Sequence, residues 1–175
     1  TLSSAVSWDT NAEDFTLTAG TFSTGNFGVI SSSGADIAVN GGIWNSGSST
    51  ITLAGTLTVA GGTYNGSTST GTVSGLFTIS SGNYNGDTST PTFSGGLTIT
   101  GGTFTASSGT TTISGAWTHT GLGTFTHNSG IVSFTGNSAT IDVNSTETFS
   151  ALTVSKTTGQ TLTIASGDTL SATGL

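Results

Sequence analysis

The sequence predicts an all-β protein wound as a single parallel β-solenoid, right-handed and three-sided, with about 20 residues per coil. Three observations predict it. A motif recurs in register every twenty residues. Within each copy, apolar and hydroxylic residues alternate. The composition also favours strand formers almost to the exclusion of charge.

The register comes first. The segment "GGTYNGSTSTGTVSGLFTIS", from Gly61 to Ser80, is followed by "SGNYNGDTSTPTFSGGLTIT" and preceded by "GGIWNSGSSTITLAGTLTVA". Trp44, Tyr64, Tyr84 and Phe104 are twenty apart, as are Leu53, Val73, Phe93 and Ile113. The same step joins Leu57, Phe77, Leu97 and Trp117, and also Val59, Ile79, Ile99 and His119. These columns form the expected core. Gly55, Gly75, Gly95 and Gly115 share a further column.

Alternation then supplies the strands. "TLTVA", "LFTIS" and "GLTIT" put apolar side chains on one face and hydroxyls on the other, which is strand periodicity. The inward parity shifts at the Gly pair, at the central Gly and at the "NGST" segment. Three corners separate three short strands in each coil. Each strand is expected to pair in parallel with its copy one coil away, about 4.8 Å along the axis. A lone coil cannot close a core or satisfy its own backbone, so the unit must repeat to be stable.

The organisation is one array. Residues 1–18 form an irregular first coil, 19–120 the regular coils and 121–175 less regular ones. Phe15 with Leu17, and Ile37 with Val39, extend the pattern upstream; Ile141 with Val143, Leu152 with Val154, and Leu162 with Ile164 extend it downstream. The chain does not begin with Met, and its final stretch is still patterned as repeat. The expectation is a fragment or processed subunit of a longer protein.

Composition narrows the function. Roughly two residues in five are Ser or Thr, Gly adds 28, and charged residues make up 5%. Thr, Val and Ile suit a pleated surface. The net charge is −7, with Lys156 as the single basic side chain. Nucleic-acid binding needs several cations to displace counterions, so it is excluded. Attraction to anionic membranes fails for the same reason, and no apolar run is long enough for insertion.

The stretches "GGTYNGSTSTGTVSG", "SGLFTIS" and "SGGLTITGGTFTASSG" resemble the β-helical shafts of large bacterial surface proteins, the filamentous-haemagglutinin-like adhesins being the nearest type. The resemblance covers the chain from about Phe15 onward. It implies an extracellular or cell-surface location, a structural or adhesive role, and partners that are like subunits or flanking repeats stacked end to end. The chain carries no amino-terminal secretion-domain signature of that family.

Several residue sets bear on function. Thr50 and Thr52, Thr70 and Thr72, Thr90 and Thr92, and Thr110 and Thr112 fill two columns of one strand and alternate with the inward column. Ser48, Thr68, Thr88 and Ser108 extend them. Such Thr-x-Thr arrays resemble the ice-binding faces of antifreeze solenoids, which makes ice binding the main alternative. Thr also simply suits an exposed strand. Asn45, Asn65 and Asn85 form a corner column read as a structural ladder, with carbohydrate binding as a further alternative.

No enzyme is expected, and no cofactor or metal. β-Helical enzymes act through clustered carboxylates or carboxylate–cation sets. Here Arg is absent, and the acids Asp9, Glu13, Asp14, Asp36, Asp87, Asp142, Glu147 and Asp168 are scattered. Asp9, Glu13 and Asp14 are the one local group, read as a solvated end segment. Trp117 and His119 stand out because they replace aliphatic residues in inward columns. With no carboxylate expected beside them, and His127 past the next corner, they are read as a locally irregular core rather than a metal site.

Overall fold

The computed structural model describes residues 3–8, 13–32 and 34–174. Eight coils of three strands follow one another. The first three coils comprise β1 (Val6–Trp8), β2 (Phe15–Leu17) and β3 (Thr21–Ser23), then β4 (Val29–Ser31), β5 (Ile37–Val39) and β6 (Ile43–Asn45), then β7 (Thr50–Leu53), β8 (Leu57–Val59) and β9 (Thr63–Asn65). The next three comprise β10 (Thr70–Val73), β11 (Phe77–Ile79) and β12 (Asn83–Asn85), then β13 (Thr90–Phe93), β14 (Leu97–Ile99) and β15 (Thr103–Thr105), then β16 (Thr110–Ile113), β17 (Trp117–His119) and β18 (Thr124–Thr126). Coil seven has β19 (Ile131–Gly136), β20 (Ala139–Val143) and β21 (Thr146–Phe149), and coil eight has β22 (Ala151–Lys156), β23 (Leu162–Ile164) and β24 (Thr169–Ala172). There is no helix among the described residues.

Every first strand pairs with the next coil's first strand to give an eight-stranded face, and the second strands do the same. All ladders are parallel. The third face is split into a six-stranded sheet from β3 to β18 and a separate pair, β21 with β24. The molecule is thus a three-sided parallel β-solenoid with coils of about 20 residues.

The register follows the repeat. Leu53, Val73, Phe93 and Ile113 lie opposite one another on the first face and are buried. Leu57, Phe77, Leu97 and Trp117 do so on the second, alongside Val59, Ile79 and Ile99. On the third face the aromatic column stacks. Trp44 and Tyr64 have ring centroids 5.5 Å apart, Tyr64 and Tyr84 5.4 Å, and Tyr84 and Phe104 5.1 Å, with interplanar angles of 11°, 23° and 17°. Rings one coil apart can stack offset because the coil rise is close to the natural separation of an aromatic pair.

The twenty-residue step holds only in the middle. Val29 lies opposite Ile51, 22 residues on, and Thr103 opposite Thr124, 21 on. That second extra residue is Leu122, inserted between Gly121 and Gly123 and 99% exposed. Trp117 lies opposite Ile141, 24 on, because β19 and β20 are longer than their predecessors. The changed cross-section of coil seven coincides with the missing ladder between β18 and β21.

Candidate functional site

The most built polar feature lies on the third face, where β6, β9, β12 and β15 meet the following corner. Asn45, Asn65 and Asn85 are outward neighbours of the aromatic column, in register one per coil. Asn85 Nδ2 donates to Asn65 Oδ1 at 2.9 Å, and Asn65 Nδ2 to Asn45 Oδ1 at 2.8 Å. Asn45 Nδ2 continues the chain to Ser23 Oγ at 3.4 Å. Thr105 takes the next place in the column.

The adjoining corner is a tight turn. Ser69 N–H donates to Gly66 O and Ser89 N–H to Gly86 O, both at 3.0 Å. The first central residue is left-handed each time: Gly47, Ser67 and Asp87 have φ of 57°, 53° and 52°. This outward kink leaves an open groove of about 350 Å³ beside the Asn column, bordered also by Ser67, Asp87, Thr105 and Asn128. Beneath the corner, buried hydroxyls close the interior. Trp44 Nε1 donates to Ser46 Oγ at 3.1 Å, and Ser46 Oγ donates to Tyr64 Oη at 3.0 Å. Ser49, Ser69 and Ser89 are buried as well. Sequence reasoning passed over this Ser column; its signal is a Ser four residues after each Asn.

Burial pushes the Tyr64 phenol up to about 12, against the opposing hydrogen bond from Ser46. Tyr84 is pushed up by burial and by neighbouring Tyr64, against a hydrogen bond with Ser89.

The threonine columns stand on the first face. Thr50, Thr70 and Thr90 are opposite one another, and Thr52, Thr72, Thr92 and Thr112 form the second column. Thr110 lies opposite Ile131, and Thr52 opposite Ile30, so the hydroxyl surface is flanked by exposed Ile at both ends. Thr68 and Thr88 turn their hydroxyls back to Gly47 O and Ser67 O, at 3.3 and 3.2 Å. Ser48 Oγ donates to Asn26 Oδ1, and Ser108 Oγ to Asp87 O. The second face carries a hydroxyl column that the sequence reading did not single out: Thr58, Thr78, Thr98 and Thr118.

The acids do not converge. Asp9 lies outside the described residues. Asp14 Oδ1 accepts from Asp36 N–H at 2.9 Å, and Asp36 Oδ1 from Thr56 N–H at 2.6 Å, so these two exposed acids also satisfy corner amides between coils. Asp168 Oδ2 likewise accepts from Val143 N–H at 2.8 Å. No group of three or more metal-ligating side chains occurs among the described residues. Lys156 Nζ donates to Thr135 O at 2.7 Å, and desolvation lowers its pKa.

One expectation is corrected. Trp117 and His119 do have a carboxylate beside them: buried Glu147, from β21, accepts from Trp117 Nε1 at 3.2 Å and sits 2.7 Å from His119 Nδ1. His119 Nε2 faces Gly123 O at 3.0 Å. A carbonyl only accepts, so Nε2 carries hydrogen, and the contact at Nδ1 needs a second hydrogen between nitrogen and carboxyl oxygen. Trp117 and Glu147 are buried and His119 is partly buried, and the cluster bridges the two coils where the third-face ladder is missing.

A comparison with known proteins finds no family model that matches the chain, no similar curated protein and no similar solved structure.

Proposed function

We propose that this chain is a non-enzymatic, structural or adhesive shaft segment of an extracellular bacterial surface protein, akin to the filamentous-haemagglutinin-like adhesins it resembles, and that its coils stack end to end on further coils. The observation that carries the reading is the stacking of eight like coils in continuous parallel ladders on two faces. Leu53, Val73, Phe93 and Ile113 form one buried row and Leu57, Phe77, Leu97 and Trp117 another, so each coil closes the apolar layer of the one before it. A unit closed only by its like neighbours builds a rod by repetition, from the same chain or a neighbouring copy.

Further features support the same reading. A nearly uncharged flank offers little repulsion to a neighbour. Lys156 as the single basic residue gives trypsin-like proteases one site in the whole chain. The absence of Arg and the use of Asp14, Asp36 and Asp168 on backbone amides support a role without catalysis. Electron microscopy of native material with intact mass of its subunit tests the shaft. Filaments, or a subunit much larger than this chain, are expected.

A second reading, ice binding, is favoured by the two registered threonine columns. Hydroxyls and methyls there repeat about 4.8 Å along the axis and about 6.7 Å along the strand. Thermal hysteresis that is lost in Thr70→Tyr or Thr90→Tyr would put this reading first.

A further inference from the structure

We infer that the groove beside the asparagine column is a binding site for a neutral glycan chain lying along the rod axis. This names a ligand for the adhesive reading and rests on it.

The amide chemistry carries the inference. A side-chain amide offers two donors and an acceptor oxygen with two lone pairs. Asn65 spends one donor on Asn45 and accepts one bond from Asn85. One donor and one lone pair therefore remain, on a side chain that is only half-buried and borders the groove. A donor and an acceptor at a single point match a pair of adjacent sugar hydroxyls, each of which also does both. The column offers such a point once per coil over three coils, about 4.8 Å apart, so an extended polymer along the groove meets the same chemistry three times.

The remaining lining excludes other ligands. No basic side chain borders the groove, so phosphates, sulfates and acidic sugars have no counter-charge. Asp87 is its one ionisable group, and repels them. No aliphatic or aromatic side chain borders it either, so lipids and apolar peptides gain no buried area. The lack of a stacking ring also means that each sugar contributes little, and affinity must come from the number of units engaged at once.

The test titrates the full chain with neutral β-linked oligosaccharides of glucose and of N-acetylglucosamine, from dimer to hexamer, by NMR. The expected result is movement of the Asn65 and Asn85 side-chain amide signals, with affinity rising roughly tenfold from dimer toward tetramer and levelling once all three amides are engaged. Thr105→Tyr and Ser67→Arg, which fill the groove from two elements, should abolish it while circular dichroism stays unchanged. Added chelator, and Thr78→Ala on the second face, should leave it within about twofold of the unmodified protein, in keeping with the tenfold scale of the length effect. Three results would overturn the site: no signal movement at millimolar hexamer, movement confined to the threonine columns, or loss on adding chelator, which would mark a cation site instead. Microscopy of the same sample separates the two proposals. Filaments without glycan binding remove the groove alone, and glycan binding by a compact intracellular monomer removes the shaft alone.

Discussion

His119 Nδ1 lies 2.7 Å from Glu147 Oε2, joining coil six to coil seven where the third face has no ladder between β18 and β21. Glu147 also accepts from Trp117 Nε1. One carboxylate thus joins a buried indole and a partly buried imidazole across the one face of these two coils that has no backbone ladder. Glu147→Ala should destabilise the fold by about 3 kcal/mol, because it strands the buried Trp117 nitrogen and removes the partner of the partly buried His119. Glu147→Gln keeps an acceptor and should cost about 1 kcal/mol. Urea denaturation of the two variants checks the order, and equal losses would show that an acceptor at this position does not stabilise the third face.

Tyr64 makes stability depend on alkaline pH. Its pKa rises from the ordinary 10.0 to about 12 on folding, chiefly because burial disfavours the phenolate. The folded state therefore binds the proton more tightly than the unfolded one. The associated stability is fully present below pH 10 and is lost as pH rises toward 12, by about 3 kcal/mol in all from this residue. Tyr84 acts in the same direction. Tyrosinate absorbance should appear together with loss of the β-sheet signal, and Tyr64→Phe should move the transition to higher pH. Smooth tyrosine titration in a fully folded rod would contradict this.

Asn65 holds two rungs of its ladder. Asn65→Ala removes both and should cost about 1–2 kcal/mol, as expected for two neutral hydrogen bonds on a half-buried side chain. Thermal melts of Asn65→Ala and Asn45→Ala should rank the inner position as the more costly.

Gly75 stands where two coils touch backbone to backbone. A Cβ there would lie 2.5 Å from Gly55 O and 2.8 Å from Thr56 N, neither of which can move without shifting a coil. Gly75→Ala should destabilise by about 2 kcal/mol, and Gly75→Val by more. Tolerance of Val at this position would mean that the coils are more loosely stacked than described.

What the sequence made legible follows from the exactness of the step. Between Trp44 and Ile113 the apolar, threonine and asparagine columns of the strands become ladder registers, so strands, corners and inward faces could be read from the sequence. The asparagine column was legible for the same reason, although its bonds and groove depend on the left-handed turns at Ser67 and Asp87, which carry no composition signal. Glu147 was not legible. It lies 30 residues from Trp117, beyond the point where the step stretches to 24, and only the altered path of coil seven turns it inward. The amide bonds of Asp14 and Asp36 were not legible either, because an exposed carboxylate accepting a corner amide one coil on looks, in sequence, like any isolated acid.

The central claim is that coils stack beyond this segment into a shaft. Negative-stain electron microscopy of the native material, paired with intact mass, tests it most directly. The account predicts thin rods much longer than the roughly 38 Å that eight coils span at 4.8 Å each, made either of subunits of about this chain's mass, 17.1 kDa, or of a far larger chain. A compact, intracellular monomer with no repeat neighbours would contradict it.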